Sequence, residues 1–227
     1  MRISPTAMWA NLAGLTVAFN LFAGSGAVAV PLQGSVEHEE RLPSVDSALR
    51  AGANFDVNLT HEAPSNMWVK IPHWLAGTWL VEEECTVFSQ NFLTGQMDSD
   101  AHAFRAKSRF TYGTQKDRAG GIWHFIGTPY CSATDFNSFT EYHQVASKQV
   151  VENTSSRIMF KTRFTVVRVS RTTRKVTSTY QQESITTYTR ASDTELKMTS
   201  STKVFDQNGT ATNVVDNEAV VHRAEPF

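Results

Sequence analysis

From Thr78 to Arg223, apolar and polar residues alternate with a period of two through one segment after another. No stretch of helical period interrupts them. That pattern suits half-buried strands, because successive side chains on a strand point to opposite faces. The spacing predicts about eight strands. The first runs from Thr78 to Asn91, and Thr94-Gly95 turns it. The second runs from His102 to Tyr112, followed by a turn over Lys116 to Gly121. The third covers Ile122 to Thr128 and stops at Pro129, which cannot donate to a ladder. A polar loop with Ser132, Thr134, Asp135 and Asn137 leads to the fourth, Phe139 to Val151. Asn153 to Ser156 turns into the fifth, around Ile158 to Val166. The sixth runs from Val176 to Thr189, and the seventh carries Leu196 to Val204. Asp206-Gln207-Asn208-Gly209 is a strong hairpin turn, since Asn-Gly tolerates positive φ. The eighth strand runs from Thr210 to Arg223.

Parallel pairing would need long crossover connections, and the connections here are short. The expected architecture is therefore an all-β antiparallel meander over 67–227: an up-and-down barrel of about eight strands, which the opening motif at Gly77-Thr78-Trp79 favours, or an open sandwich of similar strand count. Such a barrel leaves room inside for side chains or one small ligand. Placing Trp79 inward puts Val81, Glu83, Cys85 and Val87 on its face, with Leu80, Glu82 and Glu84 outside. On the second strand His102, Phe104, Ser108, Phe110 and Tyr112 share one face. Arg105, Lys107 and Arg109 share the other, a cationic wet face. Phe160 and Phe164 point inward from the fifth strand, and Tyr180 and Tyr188 join them from the sixth. An apolar lining with a few polar groups is the character of a small-molecule site. The candidate ligand-binding set is therefore Glu83, His102, Phe104, Ser108, Phe110, Tyr112, Phe160, Phe164 and Tyr180.

The chain before the strands divides in two. Arg2, an apolar run from Met8 to Ala23 and the A-x-A pattern Ala27-Val28-Ala29 read as an export signal over 1–29. The expected location is periplasmic or secreted, with no stable membrane span once the signal is removed. Residues 30–66 form a lead segment. Within it His38-Glu39-Glu40-Arg41 reads as a solvated charge cluster, and Ser44 as the cap of a short helix ended by Gly52. An exported chain with two cysteines, Cys85 and Cys131, is expected to bridge them. Closing that loop would stabilise by about 4 kcal/mol on the chain-entropy view.

Ile71-Pro72-His73-Trp74-Leu75-Ala76-Gly77-Thr78-Trp79 joins lead and strands. Pro72 stops any upstream helix. Gly77-Thr78-Trp79 at the start of the first strand resembles the G-x-W signature of the lipocalins and related calycins, in a distant, bacterial exported form. Trp74-Leu75 before it and the late Arg223 carry the same resemblance. It implies that Trp79 lies across the barrel floor and that Arg223, from the last strand, packs over its ring. Gly77, Trp79 and Arg223 are then structural. The long first loop and the helix before the last strand, usual in lipocalins, are both missing from the sequence pattern.

A net charge of −1 gives no reason to expect nucleic acid as a partner, and a mean hydropathy of −0.30 excludes a polytopic membrane protein. The seven histidines show no paired metal-ligand spacing, and no nucleophile-elbow motif occurs. No metal or cofactor is implied. The expected function is an exported barrel that binds a small hydrophobic or amphipathic molecule. Two alternatives stand beside it. One is a cavity-based isomerase or cyclase using Glu83, His102 or Tyr112. The other is a protein-interaction module presenting Arg105, Lys107 and Arg109.

Overall fold

The computed structural model describes residues 37–56, 58 and 63–227. The expected export signal and the first part of the lead segment lie outside them. The described strands are β1 (Trp68–Ile71), β2 (Gly77–Asn91), β3 (Met97–Asp98), β4 (His102–Tyr112), β5 (Gln115–Lys116), β6 (Ile122–Phe125), β7 (Tyr130–Asp135), β8 (Phe139–Asn153), β9 (Arg157–Ser170), β10 (Val176–Arg190), β11 (Glu195–Phe205) and β12 (Ala211–Pro226). No α-helix occurs among the described residues, so none is long and apolar enough to cross a membrane. Every strand pairing is antiparallel.

The main sheet runs β7-β8-β9-β10-β11-β12-β2, and the far side of β2 pairs with both β4 and β3. The last strand therefore returns to lie beside the first long one. Tyr112 on β4 stacks on Phe160 of β9 with ring centroids 5.3 Å apart. Those strands are five steps apart in the sheet. Laid flat, they would be roughly 24 Å apart at the ordinary strand spacing of about 4.8 Å. The sheet must curl strongly to bring the rings together. No ladder joins its end strands, β4 and β7, among the described residues.

The segment expected as a third barrel strand, Ile122 to Thr128, departs from that reading. Only Ile122–Phe125 is a strand, and it belongs to a separate three-stranded sheet, β1-β6-β5. With apolar residues on both faces, its pattern carried no information about which sheet it joins. The expected loop over Ser132 to Asn137 is also partly strand, since β7 pairs with β8 as far as Asp135.

Inside the curl, Trp79, Val81, Ile158, Phe160, Tyr188, Leu196, Met198 and Val221 form the largest buried cluster, with Leu75 and Ile71 from the turn below. Val145, Phe164 and Val166 form a second, with Tyr130 and Tyr180 against it. A third cluster lies on the outer face, where Val167, Val169 and Val176 are covered by Leu49, Ala53, Phe55 and Tyr142. The lead segment supplies Leu49, Ala53 and Phe55 of that cover, and β8 supplies Tyr142. Leu42 and Val45 donate backbone hydrogen bonds to Gly209 (3.0 Å) and Gln207 (2.9 Å), and Gly52 donates to Val176 (2.8 Å). Gly209, at φ +80°, serves twice: it makes the hairpin turn, and a Cβ there would lie 1.8 Å from the Leu42 carbonyl oxygen.

The charge cluster in the lead is an anchor rather than a solvated face. His38 Nδ1 reaches Glu183 Oε1 at 3.2 Å, and its Nε2 lies 2.9 Å from Ser201 Oγ. The Glu39 carboxylate accepts from Arg163 at 2.6 Å. Glu183, on the outer face, is 0% exposed beneath them. The expected helix after Ser44 shortens to one 3-10 turn, Ser47–Leu49, and its cap is Asp46, which accepts from Ala48 N at 2.8 Å.

Candidate functional site

The floor begins at Gly77. Its φ is +125°, and a Cβ there would lie 2.6 Å from the Glu225 carbonyl and 2.7 Å from Arg223 Nη1. Only glycine fits that approach. Trp79 is then fully buried and donates its indole N–H to the Leu75 carbonyl at 2.7 Å. The Arg223 guanidinium carbon lies 4.1 Å from the Trp79 ring centroid. Arg223 also donates to the carbonyls of Trp74 (2.7 Å), Asp193 (2.7 Å) and Ala76. A cation over a desolvated indole contributes roughly 0.5–2 kcal/mol. The chain's far end thus holds the turn that starts β2.

Above the floor, Phe110, Tyr112, Phe160 and Tyr188 converge. Tyr112 lies 5.6 Å from Phe110 and 5.4 Å from Tyr188 by ring centroids, both edge to face. Burial, first, and the neighbouring phenol push Tyr112 well above the ordinary tyrosine range. Burial lifts Tyr188 to about 12, and the nearby Glu84 adds to it. The Lys148 ammonium sits over Phe160 at 5.2 Å and over Tyr112 at 5.7 Å. Burial pulls Lys148 down to about 8. His124, 4.9 Å from the Tyr112 ring, drops to about 3 through burial and the charge of Lys148.

A polar belt continues around this inner face. Asn217 accepts from Thr86 at 2.8 Å, and Ser184 lies 3.1 Å from Thr202. Glu84 and Ser200 belong to the belt too, yet Glu84 Oε2 and Ser200 Oγ are buried without a hydrogen-bond partner among the described residues. Burial alone raises Glu84 above the usual carboxylate range. Further along the interior, Glu141 bridges His143 (2.8 Å) and Arg168 (2.7 Å), and the His143 bond chiefly holds its carboxyl low.

Several expected site residues fall elsewhere. Glu83 is exposed, and Glu84 takes the inward place at 3% exposure. The cause is a register irregularity between Val81 and Glu83 on the β4 side, which shifts the alternation of β2 by one. His102 is exposed at the strand end, 3.1 Å from Asp98. Phe104 faces Glu84 across the ladder but is 37% exposed at the rim. Ser108, opposite Val81, is half-buried. Phe164 and Tyr180 line the second inner cluster, where Arg168 lies 5.8 Å from the Tyr180 ring. Phe110, Tyr112 and Phe160 are the members that meet at one place.

The expected disulfide is not formed: Cys85 and Cys131 are not bonded to each other. Cys85 lies on β2 and Cys131 on the edge strand β7, six strands away along the sheet. A bridge needs Cβ atoms within about 4 Å. The curl brings β4 back against β9, but it does not bring β2 to β7.

The β2 irregularity has a second effect, on the β12 side. Leu80 pairs with His222 and Cys85 with Glu218, but no partners join 81–84 to 219–221 between them. The two strands part there. The gap opens to a volume of about 690 Å³. Glu82, Glu83, Glu195 and Glu218 stand around it, Lys197 and His222 among them, and Glu84, Leu196 and Ala219 line it from the buried side. Lys197 already pairs with Glu218 (3.1 Å) and His222 with Glu195 (3.5 Å).

The sequence offered little warning of Glu84 and Lys148. Three consecutive glutamates hide which one faces inward. A register shift between Val145 and Ser147 similarly moves Lys148 onto the inner face. Compared with known proteins, the chain matches no family model, no curated protein and no solved structure.

Proposed function

We propose that this chain is an exported, lipocalin-like barrel protein that takes a small amphipathic molecule into its interior. The observation that carries the reading is a pair of buried polar atoms without partners, Glu84 Oε2 and Ser200 Oγ, on the same inner face as the aromatic group Phe110, Tyr112, Phe160 and Tyr188. Buried polar atoms are rarely left unpaired in a folded protein, and each such loss costs about 1–3 kcal/mol. A ligand with an apolar body and a polar end relieves that cost while its body rests on the rings. The G-x-W turn at Gly77 and the guanidinium over Trp79 support the lipocalin-like part of the reading.

Native mass spectrometry against a panel of fatty acids, alcohols, amines and pigments tests it, with thermal melts alongside. At least one class is expected to be retained and to raise the Tm, since a ligand that binds only the folded state stabilises it. A panel with no retained molecule and no thermal shift sinks the reading.

One arrangement favours a catalytic second reading. The edge-to-face pair Tyr112 and Tyr188 links the buried acid Glu84, which acts on Tyr188, to the depressed amine Lys148 over Tyr112. Such a series suits proton transfer in an isomerisation. It replaces Glu83 and His102, both exposed, as the acid–base set. Turnover of a retained ligand that Tyr112→Phe abolishes without loss of binding would separate catalysis from storage.

A further inference from the structure

We propose that the gap between β2 and β12 is the recognition subsite for a protonated amine, with Glu84 as its counter-charge, so that the ligand is an amphipathic organic cation. This rests on the reading that an amphipathic molecule enters the interior, and it names the chemistry of that molecule's polar end.

Three independent observations converge on the gap. First, it is an interruption of the ladder, bounded by the Leu80–His222 and Cys85–Glu218 pairs. Second, Glu84 is 3% exposed, lines the gap and has one oxygen with no partner. A buried carboxylate oxygen accepts hydrogen bonds and cannot donate them, so its missing partner is a donor, best a charged one. Third, the rim is one-sided in charge. Glu82, Glu83, Glu195 and Glu218 surround the opening, whereas its two basic side chains, Lys197 and His222, are already engaged with Glu218 and Glu195. A carboxylate ligand would meet this surplus of negative charge, and an alcohol would gain little from it. An ammonium gains from both rim and base.

The walls favour an organic cation over a metal ion. Leu196 and Ala219 line the gap and belong to the same apolar cluster as Met198, Tyr188 and Trp79. An alkyl or aryl body bonded to the amine can follow that surface inward. Among the described residues no group of three or more His, Cys, Asp or Glu side chains is arranged to hold a metal. Lys148, a cation on the inner face, lies against Phe160 and Tyr112 and is not part of the lining.

The test titrates the full mature chain with decylamine, decanol and decanoate, read by tryptophan fluorescence and calorimetry, with calcium chloride as a control. Decylamine is expected to bind about tenfold to a hundredfold more tightly than decanol, from one charge-assisted hydrogen bond in a buried setting. Decanoate is expected to bind more weakly than decanol. Glu84→Gln should abolish the preference, so that decylamine and decanol bind the variant equally. A thermal melt confirms that the variant folds. Should it not fold, the exposed double variant Glu82→Gln/Glu83→Gln decides: an amine preference reduced about threefold supports the subsite, and an unchanged preference overturns it. Equal binding of the three chains, or a preference that survives Glu84→Gln, overturns the amine subsite and leaves the binding reading standing. Calcium stabilising the protein as well as decylamine does overturns the organic cation. No binding by any of the chains takes down the subsite and the binding reading together.

Discussion

Two glutamates in this fold are almost equally hidden from water and behave in opposite ways. Glu183 on the outer face is 0% exposed, and Glu84 on the inner face is 3% exposed. Burial pushes both carboxyls up. Around Glu183 that push is outweighed by His38, by Arg163 Nε at 2.7 Å, by the Glu39 amide at 2.8 Å and by Lys161 at 3.3 Å, and its pKa falls to about 2. Around Glu84 nothing offsets it, and the carboxyl stays raised. Depth therefore does not set the charge state; the partners do. The partnered carboxylate fastens the lead segment to the sheet. The unpartnered one fronts an opening, where a side chain held at a cost to stability has a use.

Substitution tests this contrast most strongly. Glu183→Gln strands Arg163, Lys161 and His38 around a neutral amide and should cost about 3 kcal/mol in urea denaturation. Glu84→Gln removes a buried charge that nothing compensates, and should leave stability unchanged or raise it by about 1 kcal/mol. Equal losses for the two variants would break the comparison.

The pH dependence sharpens it, with opposite signs. Glu183 has a folded pKa of about 2 against an ordinary value of 4.5. Its contribution, about 3 kcal/mol when fully present above 4.5, is lost as pH falls through about 2. The wild type should lose stability over that acid window, and Glu183→Gln should be flatter there. Glu84 titrates above its ordinary 4.5. Its contribution is fully present below 4.5 and is lost as pH rises through the raised value. The advantage of Glu84→Gln over wild type should accordingly grow on raising pH from acid towards neutral, as denaturation midpoints across a pH series would show.

The smallest effect is expected at the thiols. Cys85 and Cys131 are unbonded. Reductant should leave the Tm unchanged, and Cys131→Ser should move stability by less than about 0.5 kcal/mol. A reductant-induced drop of several degrees would show a bridge.

The all-β class and the antiparallel order were readable from the sequence because a period of two and short turns admit few other folds. The Asn208-Gly209 turn was readable because its chemistry is local. What escaped detection was set by long-range partners or by a one-residue slip. In Glu82-Glu83-Glu84, shifting the alternation by one exchanges chemically identical residues, so the pattern looks intact while the inward residue changes. The lead segment's role depends on Glu183 and Arg163, more than a hundred positions downstream of His38 and Glu39. His38-Glu39-Glu40-Arg41 alone reads as an ordinary wet surface. Ile122 to Thr128, apolar on both sides, gave no orientation and was placed in the wrong sheet.

The contact of Arg223 with the Trp74 to Ala76 turn spans 149 and 147 positions of sequence. Folding that depends on so distant a closure is slow to complete, because the whole intervening chain must be gathered first. During synthesis β2 emerges well before its hydrogen-bonding partner β12 and its guanidinium lock. Until Arg223 and β12 are in place, β2 lacks both its ladder partner and the guanidinium that caps Trp79.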